Sequence, residues 1–269
     1  MKSRNPRPAV LCPAVLCIGG LDPSGGAGLL ADVEAVRAAG GRALAVATAL
    51  TVQSRRGVFD VAPVSAAFLV AQVERLFEDE KPAAVKLGML GNAAVAGALT
   101  RCLTKRLGRR PLVIDPVLRS TSGRSLFRGR ADRDYARLFA MARVVTPNLP
   151  EAERFLSRDI GSWRPERELA GRDLQALAGC AIVLKGGHAS GDADDLIVDG
   201  RAITWLTGKR VATFGRGTGC RFASALATRL ALGDSLVQAS RAAKRYVRQY
   251  LSAPHPTLPR KRGRSLRGR

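Results

Sequence analysis

The chain reads as an α/β protein whose mostly parallel sheet is covered by helices on both faces. Short apolar runs of strand length alternate with amphipathic segments of helix length from one end to the other, the pattern of successive βαβ units. Glycine-rich turns lie where a strand runs out and a helix begins, at Gly25–Gly28 and Gly215–Gly219. The 269 residues are 46% hydrophobic and 25% charged, ordinary values for a chain with a large buried core. That composition excludes a mainly disordered chain, a collagen-like repeat and a disulfide scaffold.

Each element has its own signal. Val15–Ile18 is an apolar strand, and Leu29–Ala39 a helix stopped by Gly40 and Gly41. Ala43–Leu50 is a buried strand and Val58–Val64 a weaker extended piece; Ser65 caps a helix that runs through Phe77. Strands at Ala84–Leu87 and Leu112–Ile114 flank a helix at Asn92–Leu107, and Ala131–Met141 is helical before a strand at Val144–Thr146. Helices at Leu149–Leu156 and Glu166–Leu177 precede a strand at Ile182–Leu184, and Asp195–Val198 with Ile203–Val211 reads as a hairpin. Helices at about Gly219–Leu232 and Leu236–Leu251 close a single domain, residues 14–252. Residues 1–13 read as an N-terminal extension; residues 253–269, with three prolines and no acid, read as a disordered basic tail.

Net charge is +22, and the two terminal segments hold nine of the basic residues and no acid. Arginine outnumbers lysine 36 to 8, a bias that a GC-rich genome produces without any selection for nucleic acid. A basic surface favours anionic partners, and phosphate-bearing small molecules meet that description. A nucleic-acid-binding protein is the alternative class, but aromatic residues are only 5% and no helix-turn-helix, RNA-recognition or zinc signature is present. Cys12, Cys17, Cys102, Cys180 and Cys220 are odd in number and form no CxxC pair, so a reduced, cytoplasmic protein is expected. The uncharged stretch Pro8–Leu21 behind basic residues mimics a signal peptide. It is a direct repeat of PAVLC that runs into a glycine motif, and Leu16 before Cys17 does not suit lipoprotein processing, so it reads as the first strand. No uncharged apolar run has the length of a membrane span.

Several strand ends carry chemistry. Gly19-Gly20-Leu21-Asp22-Pro23-Ser24-Gly25-Gly26-Ala27-Gly28 lets a ligand approach the backbone closely and opens a helix, yet it is neither a dinucleotide fingerprint nor a Walker A loop. Gly215-Arg216-Gly217-Thr218-Gly219-Cys220 forms an anion nest at a helix N-terminus, where Cys220 is expected to be partly thiolate. Asn148 and Glu151 of Thr146-Pro147-Asn148-Leu149-Pro150-Glu151 sit at a strand end and first helical turn, as a cap, as ligand groups, or as both. Asp115 and Lys185 end two further strands, a pairing suited to Mg²⁺ and phosphate.

The ordered set GGLDPSGGAGLLAD (Gly19–Asp32), TALTVQS (Thr48–Ser54), VKLGML (Val85–Leu90), IDPV (Ile114–Val117), TPNLPEAE (Thr146–Glu153), LKGGH (Leu184–His188) and GTGC (Gly217–Cys220) resembles the hydroxymethylpyrimidine/phosphomethylpyrimidine kinases. These are thiamine-pathway enzymes of the ribokinase-like superfamily. The resemblance spans about residues 14–251. It implies a three-layer α/β/α fold, ATP with Mg²⁺, an aminopyrimidine substrate phosphorylated twice, and a homodimer without nucleic acid or membrane partners. It also implies roles: Asp32 and Gln53 hydrogen-bond the aminopyrimidine, Gly20 lies against it, and Met89 and Val117 pack its ring. Asp115 and Glu151 take Mg²⁺ or its waters with Asn148 nearby, Lys185 neutralises phosphate, and Gly217, Thr218 and Gly219 surround the transferring phosphoryl group. Cys220 stands where the wider superfamily has an aspartate base, which implies a base or proton relay. A pyridoxal kinase of the same fold is the alternative enzyme, and Cys220 and TALTVQS speak against it.

Departures from the family pattern are Leu21 for Ser or Thr, a loop at residues 119–122 without its usual lysine, Arg216 for His and Arg221 where Thr is frequent. An arginine at position 221 is expected either to meet phosphate or to turn out to solvent. Thr51–Val61 is the segment expected to close over the site.

Overall fold

A computed structural model describes residues 12–120, 123–212 and 215–253. The PAVLC copy at Pro8–Cys12, except Cys12, and the basic tail, except Ala253, lie outside the described residues.

Chain order is β1 (Ala14–Leu21), α1 (Gly28–Ala38), β2 (Arg42–Ser54), β3 (Gly57–Pro63), α2 (Ala66–Asp79), β4 (Ala84–Leu87), β5 (Gly91–Asn92) and α3 (Ala93–Arg106). It continues with β6 (Leu112–Ile114), β7 (Phe127–Arg128), α4 (Ala131–Phe139), β8 (Val144–Val145), α5 (Leu149–Leu156) and α6 (Arg164–Ala178). The last elements are β9 (Ala181–Leu184), β10 (Asp195–Asp199), β11 (Ala202–Leu206), α7 (Thr218–Ala231) and α8 (Leu236–Ser252).

Nine strands form one sheet in the order β11-β10-β9-β8-β6-β4-β1-β2-β3. The six from β9 to β2 are parallel; β10 runs antiparallel to β9, β11 to β10, and β3 to β2. The period of two in strand side chains makes three layers of this sheet. Along β1, Val15 and Cys17 enter the core beneath α1, α7 and α8, while Leu16 and Ile18 enter the core beneath α2 to α6. This is the ribokinase-like three-layer architecture implied by the resemblance.

Helix starts follow side-chain chemistry. Ser65 accepts the Phe68 N–H at α2, Asn92 that of Val95 at α3, and capping boxes start α5 (Asn148 with Glu151) and α8 (Ser235 with Gln238). Three differences from the sequence reading have physical causes. β2 continues to Ser54 because β3 pairs with it antiparallel from Ala49 to Ser54, so Thr51–Val61 is the end of a ribbon instead of a loop. β11 stops at Leu206, short of Val211, and the Gly208 N–H beyond it donates to the Asp194 carboxylate at 2.9 Å instead of a ladder. The two-residue strands β5 and β7 are too short to have left any alternation in the sequence. Among the described residues no helix is long and apolar enough to cross a membrane.

The chain enters the sheet at β1, winds to β3 on one side, then returns to β4 on the other. The crevice outside the carboxyl ends of β1 and β4 is therefore a topological switch point, where open α/β sheets bind ligands.

Candidate active site

A cleft of about 790 Å³ opens at that switch point, within the range of small-molecule sites. At one end Met89 packs with Ala49 and Leu126, and Val58, Val61 and Val117 lie against them, making an apolar slot separate from the two main cores. Gly20 leaves room for the Met89 side chain beside this slot, because a Cβ there would lie 2.8 Å from Met89 Sδ. Gly28, with φ of +59°, lets the loop turn back onto β1, where a Cβ would meet the Gly20 carbonyl oxygen. Gln53 lines the same cleft.

In the middle of the cleft, α7 begins with no side-chain cap after Gly217, whose φ is +65°, so its first N–H groups remain available to an anion. Lys185 Nζ donates to Asp115 Oδ1 at 2.6 Å, and a Cβ at Gly219 would lie 3.1 Å from Lys185 Nζ and 3.5 Å from Asp115 Oδ2. The nest, the lysine and the aspartate thus meet at one point. Burial alone would lower the Lys185 pKa, but the carboxylates of Asp115 and Glu151 hold it above the usual lysine value. Burial pushes Glu151 up to about 7, with Asp115 adding to the rise and Lys185 opposing it. Two carboxylates that repel each other beside an uncapped helix start are a hard-oxygen donor set that suits Mg²⁺, which keeps most of its waters and takes one or two carboxylates. Asn148 accepts the Glu151 N–H at 2.9 Å while Glu151 accepts the Asn148 N–H at 2.8 Å, so the cap and the site share the same residues.

The far end of the cleft is lined by His188, Gly208, Arg210 and Arg248. Arg210 holds its shape by donating to the carbonyls of Gly187, Ala189 and Gly191.

The structure thus brings Gly20, Gln53, Met89, Val117, Asp115, Asn148, Glu151, Lys185, Gly217, Thr218, Gly219 and Cys220 around one cleft. Asp32 lines the same cleft. It is fully buried at the floor, where Lys86 Nζ donates to both its oxygens at 2.8 Å and Ser224 Oγ to Oδ1 at 2.8 Å. Burial works against charge on Lys86, but Asp32 outweighs it and holds the ammonium protonated.

Two expectations are corrected. The Cys220 thiol is not acidified: burial pushes it up to about 11, with Lys86 opposing and Asp32 and Asp115 adding to the rise, so it is protonated near neutral pH. Arg221 neither lines the cleft nor turns out to solvent. Its side chain is 3% exposed, donates to the carbonyls of Gly26 (3.0 Å) and Arg216 (3.2 Å) and to Glu34 (2.6 Å), and lies 3.9 Å from the Tyr250 ring centre.

Two site residues escaped the sequence reading. Lys86 is a charge inside the apolar strand AVKL, a signal that was present. Asp22 belongs to an Asp-Pro-Ser turn, which reads as local chemistry until its distant partners are known.

The sequence profile described as phosphomethylpyrimidine kinase matches residues 22–263. A hydroxymethylpyrimidine/phosphomethylpyrimidine kinase of Rhizobium meliloti is 38% identical over 241 residues, covering 88% of this chain and 90% of that protein. A bifunctional thiamine biosynthesis protein of Geobacter sulfurreducens is 40% identical over 246 residues, 90% of this chain but half of that longer protein. Among solved structures, a phosphomethylpyrimidine kinase from Clostridium difficile superposes with a TM-score of 0.77 at 32% identity, covering 88% of this chain and 99% of that one. A pyridoxal kinase from Staphylococcus aureus, solved with ADP, has a TM-score of 0.80 at 26% identity, covering 89% and 88%.

Proposed function

The chain belongs to the phosphomethylpyrimidine kinase family, and from that premise we propose that it is a thiamine-pathway kinase with two successive substrates. The γ-phosphoryl group of ATP passes to the hydroxymethyl oxygen of hydroxymethylpyrimidine and then to the monophosphate so formed. The observation that carries this reading is the meeting of Lys185, Asp115 and the uncapped start of α7 at the centre of a cleft with an apolar slot at one end.

The slot takes the ring between Gly20, Met89 and Val117, with the Gln53 amide at its polar edge. The hydroxymethyl group then points toward the nest. As the oxygen attacks phosphorus in line, charge on the equatorial oxygens is met by the N–H groups of Gly219 and Cys220 and by Lys185, donors that need no reorganisation. Asp115 and Glu151 would hold Mg²⁺ directly or through water, with Asn148 beside them; bound there it would neutralise charge on the polyphosphate. With its thiol protonated at rest, Cys220 fits a relay better than a thiolate base. It would pass its proton to a transferred phosphoryl oxygen or to water as the hydroxymethyl proton arrives, and in the loose transition state of phosphoryl transfer the hydroxymethyl proton leaves late. Asp32 is assigned to the floor of the slot, where its charge fixes Lys86, instead of to direct contact with the ring.

The reading includes a homodimer. Leu50, Val52 and Phe59, all more than half exposed on the β2–β3 ribbon, offer apolar surface for it, and equilibrium sedimentation tests it. The enzymatic test is ADP release with hydroxymethylpyrimidine, its monophosphate and pyridoxal as acceptors. The expected result is turnover on the first two and at most weak turnover on pyridoxal; efficient use of pyridoxal alone would replace this reading with a pyridoxal kinase.

A further inference from the structure

Asp22 is 2% exposed and accepts from five donors. Its Oδ1 takes the N–H of Ser24 at 2.9 Å and the Ser24 hydroxyl at 2.7 Å. Its Oδ2 takes the Ala27 N–H at 3.0 Å, Gln53 Nε2 at 3.1 Å and Arg216 Nη2 at 2.9 Å. One buried carboxylate therefore ties together the first glycine loop, the glutamine of the slot and the arginine of the phosphate loop, which is 194 residues away in sequence.

A carboxylate only accepts, so whichever end of the Gln53 amide faces Asp22 must be its NH₂. The amide oxygen is thereby turned the other way. There it meets Thr51 Oγ1 at 3.2 Å, but that hydroxyl has one proton and directs it to the Leu21 carbonyl at 2.8 Å. Gln53 is left with an uncommitted acceptor and one spare N–H, side by side and in fixed order. A ring that carries an exocyclic amino group next to a ring nitrogen presents the complementary donor and acceptor.

We propose that Asp22 is a specificity-determining positioning residue: it locks the Gln53 amide in the orientation that recognises an amino-substituted nitrogen heterocycle, and it ties that orientation to the phosphate loop through Arg216. The proposal rests on the kinase reading above. Asp22 need not touch the substrate. Its carboxylate denies Gln53 the flipped orientation, in which the amide would present its donor where the amino group needs an acceptor. Arg216 neutralises the carboxylate and at the same time draws the two glycine loops together, so the slot and the phosphate site are built around one charge.

The test compares kcat/KM for hydroxymethylpyrimidine with that for the analogue lacking the amino group. The wild-type protein should prefer the amino compound strongly, since a site made to hydrogen-bond a group discriminates against its absence. In Asp22→Asn the side-chain amide can face Gln53 with either end, so the flip becomes permitted. The preference should then fall by roughly 10- to 100-fold, a ratio between two acceptors at the same saturating ATP in which any weakening of the phosphate loop cancels. A rescue keeps the test decisive whatever the folding of that variant. Gln53→Glu sets two carboxylates face to face and should lose the amino compound, whereas the double variant Asp22→Asn with Gln53→Glu restores a donor against an acceptor and should regain at least about a tenth of the preference. Undiminished preference in a folded Asp22→Asn, or a double variant no better than Gln53→Glu, overturns the proposal. Failure of the wild-type protein to phosphorylate hydroxymethylpyrimidine would instead remove the kinase reading beneath it.

Discussion

A thiol at a helix N-terminus is ordinarily acidified by the dipole and nearby cations, yet that of Cys220 is held at about 11 because burial outweighs both. The consequence is measurable. Alkylation of Cys220 by iodoacetamide should be slow at pH 7.5 and rise about tenfold per pH unit up to pH 10. Alkylation already at its plateau at pH 7.5, read by peptide mass spectrometry, would show a thiolate. Cys220→Ala should lower kcat by roughly 10²–10⁴ with a smaller effect on KM, the usual range for losing a proton-transfer group; wild-type turnover would leave the backbone nest as the whole contribution of that turn.

Glu151 has the opposite kind of consequence, in stability. Its carboxyl is raised from 4.5 to about 7 by burial, then by Asp115, so between those pH values the folded protein holds a proton that the unfolded chain releases. Stability from this group is therefore lost as pH rises through that window. Glu151→Gln keeps the capping box and removes the charge. In metal-free protein it should raise Tm at pH 8 and leave Tm near pH 4.5 unchanged, by differential scanning fluorimetry. A lower Tm at pH 8 would mean that the ionised group is better accommodated than its surroundings imply. Residues such as Lys185, Asp115 and Asn148 were legible in the sequence because a strand end or helix start fixes where they point. Asp22 was not, since its partner Arg216 lies 194 residues away, and Lys86 showed only as a charge in an apolar strand whose partner lies 54 residues away.

At the scale of elements, α7 is the piece that joins the nest at Gly217–Cys220 to the rest of the molecule, and Arg221 is how it is joined. Its guanidinium bonds the loop before α1 at Gly26, its own loop at Arg216, α1 at Glu34 and the face of Tyr250 on α8. From sequence, an arginine in the first turn beside a nest reads as a phosphate ligand or as a side chain turned out to solvent. The side chain is long enough to pass the nest and fill the junction of three elements behind it. Arg221→Thr should therefore cost about 1–3 kcal/mol of stability through the lost hydrogen bonds to carbonyls and the ring contact. Urea unfolding would show this as a lower midpoint at unchanged slope. A variant as stable as wild type, but with a raised KM for ATP, would return Arg221 to the phosphate site. Element boundaries were readable where a cap or glycine marks them, as at Ser65, Asn92 and Ser235. They were unreadable where pairing decides, as in the β2–β3 ribbon.

At the scale of the whole molecule, a fully buried charge pair, Lys86 with Asp32, lies between the two cores on opposite faces of the sheet. The sheet order that creates the crevice brings β4 beside β1, and with it Lys86 into register with Cys17 directly below the slot. The alternation of strands and helices made the layers predictable, but no local pattern states which strand neighbours which, so this pair could not be read from the sequence. Removing one partner of a buried pair strands the other, at a cost of about 3–5 kcal/mol, whereas replacing both with apolar residues is often neutral. Lys86→Met should therefore destabilise the protein severely, and Lys86→Met with Asp32→Leu should recover most of the loss in guanidinium unfolding. The recovered double variant then separates two roles of the pair. If Asp32 serves only to fix the floor, the double variant binds hydroxymethylpyrimidine within about tenfold of wild type by calorimetry. If Asp32 itself contacts the ring, it folds and does not bind, because the hydrogen bond that the ring requires has been removed along with the charge.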